Sequence, residues 1–152
     1  MASFERAVAF VLIHEGEWSE DPAGGKTRFG LSSKAHPDLN LAALTREQAI
    51  EVYRARYWSK IRGDALPEAL GLAMLDYAVL QGTPTAVRAL QAILGVPVDG
   101  RLGPQTLYAI DARPPGPLTR EVLAARKLQL MTGDPKYRLG WIARLLDLAL
   151  EV

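Results

Sequence analysis

The sequence predicts a mainly helical, all-α domain with a small loop or β-hairpin inserted after its first helix. Apolar residues recur at helical spacing along most of the chain, and capping residues mark where several helices begin. A glycine-rich run without helical periodicity interrupts this pattern between residues 17 and 33. The 152 residues, of which 49% are hydrophobic and 23% charged, suit one compact domain with a substantial core.

The first helix is expected to begin after Ser3, which can cap it, and to end near Gly16. Its apolar residues recur at i, i+4, i+7 and i+8: Phe4, Val8, Val11 and Leu12. Glu15 lies three residues after the last of these and continues the stripe toward the core. Burial of a carboxylate raises its pKa, which is what a general acid needs near neutral pH. We therefore expect Glu15 to be partly buried and to act as a general acid.

The interrupting segment contains Gly24, Gly25 and Gly30, and these glycines allow the chain to turn tightly. They do not make a convincing phosphate cradle, because no βαβ unit surrounds them. We expect this segment to form a loop or a small hairpin that lines a cleft. It would bring Asp21 and Thr27 to that cleft.

Two helices are predicted in the middle of the chain. Thr45 and Gln48 form a capping-box pattern before a second helix that reaches about Trp58. The third helix, over residues 67–82, is apolar on all sides, which predicts the central buried helix. Asp76 lies within this apolar helix, where an unpaired charge is costly. It therefore requires either a partner such as an arginine or a position facing a cleft.

The C-terminal half is expected to contain four further helices, marked by caps and by proline at first helical positions. They are a helix from Thr83 to Gly95, one from Pro104, one capped by Thr119 and ending near Met131, and one from about Tyr137 to Leu150. No flexible linker separates the halves, so we expect residues 1–82 and 83–152 to be two regions packed as one globular unit.

Composition excludes several classes of protein. A net charge of +1 gives little electrostatic support for nucleic-acid binding. The absence of cysteine excludes a disulfide scaffold, and two histidines make a multi-histidine metal centre implausible. No apolar stretch is long enough for a membrane span, and the N-terminal residues lack the pattern of a secretory signal.

Several short motifs in a fixed order resemble a known family. The motifs are Glu15-Gly16, Asp21-Pro22, Gly24-Gly25, Thr27 and Gly30-Leu31, followed by Tyr53-Arg54 and Tyr57-Trp58. Together they resemble glycoside hydrolase family 108, phage and bacterial muramidases that cleave peptidoglycan. A later group is similar to the peptidoglycan-binding region that accompanies this family: Asp76-Tyr77-Ala78-Val79, Leu90-Gln91, Leu94-Gly95-Val96, Asp99-Gly100 and Gly103-Pro104-Gln105-Thr106. The resemblance implies a lysozyme-like catalytic region over residues 1–82 and a peptidoglycan-binding-like region over 83–152.

The resemblance also implies roles for individual residues. Glu15 would be the proton donor. The spacing of Asp21 and Thr27 is similar to that of an Asp and a Thr that position water in phage-type lysozymes of a neighbouring family, and Glu17 and Glu20 are lesser candidates for the second carboxylate. The candidate substrate-binding residues are Trp18, Gly25, Gly30, Tyr57, Asp76 and Gln81. Aromatic residues at helical spacing are more often core, so only Trp18 is favoured for stacking on a sugar ring.

We therefore expect a muramidase of endolysin type that cuts the β-1,4 bond between N-acetylmuramic acid and N-acetylglucosamine and lyses bacteria. No metal or organic cofactor is implied, its partner is peptidoglycan, and it is expected to be a monomer. It would remain in the host cytoplasm until it is released to the cell wall. Two alternatives stay open: a lytic transglycosylase of the same fold, and a non-catalytic cell-wall-binding phage protein.

Overall fold

The computed structural model of the protein describes residues 2–21 and 25–152; the side chain of Asp21 and the predicted turn residue Gly24 lie outside that description. The first helix, α1, spans Phe4–Glu15. The Ser3 hydroxyl accepts a hydrogen bond from the Arg6 amide at 3.3 Å, as its predicted capping role requires. Helix α1 stops at Gly16, whose φ of +70° turns the chain away and leaves Glu15 as the final helical residue.

The interrupting segment folds as a small antiparallel sheet. Strands β1 (Trp18–Asp21), β2 (Gly25–Arg28) and β3 (Leu31–Ser32) lie in the order β1-β2-β3. Ser19 pairs with Thr27 in the first hairpin, and Thr27 pairs with Ser32 in the second. Of the two predicted forms, the hairpin is the one observed, and it is extended by a third short strand.

Helix α2 spans Arg46–Tyr53 and begins with the predicted capping box, in which Thr45 and Gln48 exchange hydrogen bonds. The helical segment continues to Trp58 as predicted, but its last turn, Arg54–Trp58, widens into a π-helix. There the Ser59 amide bonds to the Arg54 carbonyl five residues back. Trp58 is buried, and a Cβ on Gly63 would lie 2.2 Å from its ring. The 3₁₀ turn Gly63–Ala65 follows.

Helix α3, Glu68–Gln81, is the predicted central helix. Every residue from Leu70 to Ala78 is buried, including Asp76. It packs against α1 and against the C-terminal helices α4 (Thr83–Leu94) and α6 (Pro115–Met131). The core is therefore shared between residues from both halves of the chain.

The remaining helices are α5 (Pro104–Asp111) and α7 (Pro135–Glu151), which makes seven α-helices among the described residues. The expected cap at Thr119 is wrong. Proline at the first turn already starts α6 at Pro115, and the Thr119 hydroxyl donates back to the Pro115 carbonyl at 2.8 Å. No helix in the described part of the chain is long and apolar enough to cross a membrane. The predicted fold class, mainly α with a small hairpin insertion in a lysozyme-like arrangement, is confirmed.

Candidate active site

Glu15 occupies the junction between α1 and the small sheet. Its side chain is 17% exposed, so the carboxylate is partly buried, as expected, yet still reaches solvent. Arg144, which is 8% exposed on α7, donates from Nη1 to Glu15 Oε1 at 2.5 Å. Among the hydrogen bonds of the described residues, Oε2 of Glu15 has none. One oxygen is thus held by a cation, and the other remains available.

Arg144 is also bound by Asp76. Its Nε and Nη2 donate to Asp76 Oδ1 at 2.8 and 2.5 Å. The other oxygen of Asp76 lies 2.5 Å from Nη1 of Arg126, and both of these side chains are fully buried. Burial opposes the charged form of Arg144, but Asp76 and Glu15 outweigh it and raise the pKa of this guanidinium. Burial lowers the pKa of Arg126, an effect that Asp76 opposes.

Two carboxylates and two guanidinium groups therefore alternate in a buried row, which we call the charge row: Glu15, Arg144, Asp76 and Arg126. Asp76 has the arginine partner that its position required, and it has two of them. Because its side chain is fully buried, the structure places it beneath the site, not in contact with a substrate. Asp76 binds Arg144, which in turn binds Glu15.

The turn between β2 and β3 packs closely against Glu15. Gly30 has φ +78°, and a Cβ there would lie 2.5 Å from Glu15 Cγ and 2.5 Å from the Tyr53 hydroxyl oxygen. Phe29, also at positive φ (+51°), accepts a hydrogen bond through its carbonyl from the Tyr53 hydroxyl at 2.8 Å. Burial raises the pKa of Tyr53, which keeps this donor neutral. Gly30 thus lets the turn pack directly on Glu15.

Thr27 and Asp21 lie on the first hairpin. The Thr27 hydroxyl donates to the Ser19 carbonyl at 3.2 Å and is also hydrogen-bonded to the Ser19 hydroxyl. The hydroxyl groups of Thr27 and Ser19 therefore lie next to each other on the hairpin. The Asp21 backbone pairs with Gly25, which has φ +78°, while its side chain lies outside the described residues.

Trp18 is the most open aromatic candidate for a sugar contact. It is 52% exposed on β1 and borders a depression of about 340 Å³ together with Ser19, Glu20 and Lys26. The Arg28 guanidinium carbon lies 4.9 Å from its ring centroid and supports the indole. An exposed indole braced in this way can stack on a pyranose ring.

Tyr57 is partly buried and tied to a small polar cluster with His36. Its hydroxyl lies 2.9 Å from His36 Nε2, and Arg56 donates to His36 Nδ1 at 3.0 Å and to Asp38. Because arginine only donates, the imidazole is neutral and Nε2 donates to Tyr57. Burial, assisted by Arg56, lowers the pKa of His36, and the hydrogen bond from Arg56 lowers the pKa of Asp38 to about 2.

Two further predicted residues are placed at element ends. Gln81, the last residue of α3, is half-buried, and its Oε1 is buried without a hydrogen-bond partner among the described residues. His14, read from the sequence as structural, bridges α1 and α7, with Nδ1 3.0 Å from the Phe10 carbonyl and Nε2 3.1 Å from Asp147.

Residues of the motifs between Leu90 and Thr106 hold the loop between α4 and α5 together. Gln91 is buried on α4, and its side-chain amide donates to Asp99 at 2.7 Å, to the Arg101 carbonyl at 2.9 Å and to Thr106 at 3.2 Å. Its oxygen accepts from the Gly100 amide at 2.8 Å. One glutamine side chain thus organises the whole loop before α5.

Sequence reasoning missed Arg144, Arg126 and Tyr53 as parts of the site. Arg144 is 129 residues from Glu15, so no local motif connects them. The sequence did contain one indication: arginines interrupt the apolar faces of α6 and α7, and the buried Asp76 on α3 needed an arginine partner. Among the described residues, no group of three or more His, Cys, Asp or Glu side chains is arranged to hold a metal ion.

Comparison with known proteins gives a consistent result. The model of the family Glycosyl hydrolase 108 matches residues 8–82. No curated protein sequence matches the chain at a significant level. Among solved structures, SagA from Brucella abortus is similar over 95% of this chain and 90% of its own, with 30% identity and a TM-score of 0.87. The likeness therefore covers nearly the whole chain, beyond the residues that the family model matches.

Proposed function

Since the chain belongs to the Glycosyl hydrolase 108 family, a family of peptidoglycan hydrolases, we propose that Glu15 is the general acid of a muramidase. The bond cut would be the β-1,4 bond between N-acetylmuramic acid and N-acetylglucosamine. The observation that carries this proposal is the placement of Glu15, a partly exposed carboxylate at the open end of the charge row.

The geometry suits proton donation. Glycoside hydrolysis requires an acid that protonates the leaving oxygen while an oxocarbenium-like centre develops. Oε1 of Glu15 is bound by Arg144, so Oε2 is the oxygen that would carry the proton to the glycosidic oxygen. Transfer leaves Glu15 as a carboxylate, and the fixed guanidinium of Arg144 stabilises that charge as it forms. An interaction that strengthens along the reaction in this way lowers the barrier.

The second half of the reaction needs a group on the other side of the sugar. We propose Asp21, assisted by Thr27 and through it Ser19, as the group that positions the attacking water. Trp18, Gly25, Gly30, Tyr57 and Gln81 are proposed to line the path of the glycan. In this scheme Trp18 supplies the stacking surface, and Gly30 keeps the turn close to the general acid.

The test is an analysis of products from purified peptidoglycan after reduction with borohydride. A muramidase yields fragments that end in reduced N-acetylmuramic acid, and this is the expected result. Fragments ending in reduced N-acetylglucosamine would contradict the assigned bond, and 1,6-anhydro ends would show a lytic transglycosylase. Wall binding without any new ends would show the non-catalytic binding protein.

We further propose that the protein acts as an endolysin, held as a monomer in the host cytoplasm until it reaches the wall. Expression inside a bacterium should leave the culture intact until the membrane is permeabilised, after which turbidity should fall. A Glu15→Gln control should not lower turbidity. Lysis without permeabilisation would contradict cytoplasmic retention.

A further inference from the structure

A second concave region lies away from the contacts of Glu15. A cavity of about 740 Å³ opens between the segment after the π-helical turn, the start of α4 and the loop before α5. Its lining includes Ser59, Lys60, Arg62, Thr83 and Arg101. None of these side chains belongs to the charge row or to the hairpin. The volume is within the range of small-ligand sites and is large enough for several amino-acid residues of a peptide.

The cavity is lined by three cationic side chains. Lys60, Arg62 and Arg101 are exposed, and within the described residues none of them forms an ion pair. Arg88 lies at the same edge, because a Cβ on Gly100 would fall 3.2 Å from its Nε. The whole protein carries a net charge of only +1, so this concentration of positive charge is local. Such a cavity attracts and orients anions.

The nearby carboxylates do not neutralise it. Asp99 accepts from the Gln91 amide at 2.7 Å and from the Arg101 backbone amide at 2.8 Å. Asp64 accepts from the Trp58 indole at 2.8 Å. Both acids keep their negative charge, but neither forms an ion pair within the described residues, and the two acids are outnumbered by Lys60, Arg62, Arg88 and Arg101. Arginine binds carboxylates through paired hydrogen bonds.

The start of α4 adds neutral donors on the same cavity wall. Thr83 opens this 12-residue helix, and the amides of Thr83 and Thr85 precede its first internal hydrogen bonds. Because Thr83 lines the cavity, the positive end of the helix dipole borders it. Charged and uncharged donors together favour an oxyanion ligand.

We propose that this cavity binds the free carboxylates of peptidoglycan stem peptides, as a second contact with the wall beside the cleavage site. The proposal rests on the proposed function, since peptidoglycan is the polymer that would bring these groups. Stem-peptide carboxylates are the anions that the glycan–peptide polymer itself carries. The cavity thereby selects peptide-bearing wall over neutral glycan.

The experiment measures sedimentation of the full-length Glu15→Gln protein with purified sacculi freed of teichoic acid, at low and at physiological salt. One set of sacculi keeps its peptide carboxylates, and a matched set has them converted to amides. The variant Lys60→Gln/Arg62→Gln/Arg101→Gln is compared with a control, Lys34→Gln/Arg46→Gln/Lys127→Gln. The control removes three exposed cations that are also unpaired among the described residues. Thermal melting confirms that each variant folds.

We expect the cavity variant to bind native sacculi at least ten-fold more weakly than the control does. We also expect its preference for native over amidated sacculi to disappear. Equal losses in both triple variants would overturn the proposal, because they would reflect net charge alone. A third set of sacculi keeps its teichoic acid, and binding to that set alone would overturn the proposal in favour of a phosphodiester ligand. Because binding is measured without catalysis, failure of the muramidase proposal would appear separately, as absent hydrolysis by wild-type protein.

Discussion

The charge row at Glu15 and the cation cavity beside α4 use arginine in opposite ways. In the charge row every guanidinium faces a carboxylate, and three of the four groups are at most 8% exposed. In the cavity, Arg62 and Arg101 face open space with no carboxylate paired to them among the described residues. The first arrangement fixes one geometry. The second leaves donors free for a ligand.

The difference shows that buried, paired charges fix the position of a side chain, whereas exposed, unpaired charges are free to bind a ligand. Desolvating an ion costs several kcal/mol, so buried charges persist only when they satisfy one another. Exposed cations cost little to keep and contribute little to folding. Mutations in the charge row should therefore change stability and catalysis, whereas mutations in the cavity should change wall binding alone.

The strongest test of this contrast removes the central acid of the charge row. Asp76→Asn leaves Arg126 and Arg144 buried without a counter-charge, and we expect a loss of about 3–5 kcal/mol in the free energy of unfolding. Urea denaturation measures this loss, with Asp111→Asn on the exposed end of α5 as the matched control. A loss as small as that of the control would refute a structural role for the charge row.

A narrower test keeps the charge and changes its shape. Arg144→Lys retains a cation but cannot bind Asp76 through two nitrogens while a third holds Glu15. We expect kcat to fall about 10- to 100-fold, which is less than the roughly 10²–10³-fold cost of losing a fixed donor altogether, because lysine keeps the positive charge. KM should change little, because Arg144 is not proposed to touch the ground-state sugar. Equal effects on kcat and KM would instead indicate general distortion of the site.

Crowding the turn that packs on Glu15 should have a further, smaller effect on stability. Gly30→Ala combines a positive φ with a Cβ 2.5 Å from Glu15 Cγ, so the turn or the carboxylate must shift. We expect about 1–3 kcal/mol of destabilisation together with reduced hydrolysis. Gly95→Ala, also at positive φ but with no atom within 4 Å, is the control, because it carries the strain without the contact. If both variants keep full activity, the packing of the turn on Glu15 is not needed for catalysis.

The His36 cluster is intermediate between the charge row and the cavity, because its imidazole is buried while the charged groups of Arg56 and Asp38 are exposed. Burial and Arg56 lower the pKa of His36, so below about pH 6.5 the unfolded chain binds more protons than the folded one. Stability from this group is complete above that pH and is lost as pH falls through the folded-state value. We expect a small decrease in melting temperature from pH 7.5 to 5, weakened in His36→Gln. An unchanged decrease in the variant would assign it to other groups.

Local signals predicted much of the fold, because caps and apolar stripes are local. Ser3, the Thr45–Gln48 capping box and the apolar third helix lie where the patterns placed them. The π-helical turn before Ser59 was not predicted, because no local pattern distinguishes it from an ordinary helical turn. Thr119 misled because the prolines before it already start α6.

The candidate site was predictable only in part. Glu15 stood out because it continues an apolar stripe, and the need of Asp76 for an arginine followed from burial alone. Which arginine would answer that need depended on how α6 and α7 fold back on α3, a matter of tertiary packing. The same packing gives Glu15 its partner from the far end of the chain.

The most direct test of the central claim compares initial rates of reducing-end release from purified peptidoglycan for wild type, Glu15→Gln and Glu51→Gln. The first substitution keeps size and hydrogen bonding but removes the acid, while Glu51 is exposed on α2 and unpaired among the described residues. General acid catalysis contributes about 10²–10⁴-fold to the rate. We therefore expect the rate of Glu15→Gln to fall at least about 10²-fold and that of Glu51→Gln to stay near the wild-type rate. Hydrolysis by Glu15→Gln at the wild-type rate would contradict the assignment of Glu15 as the general acid.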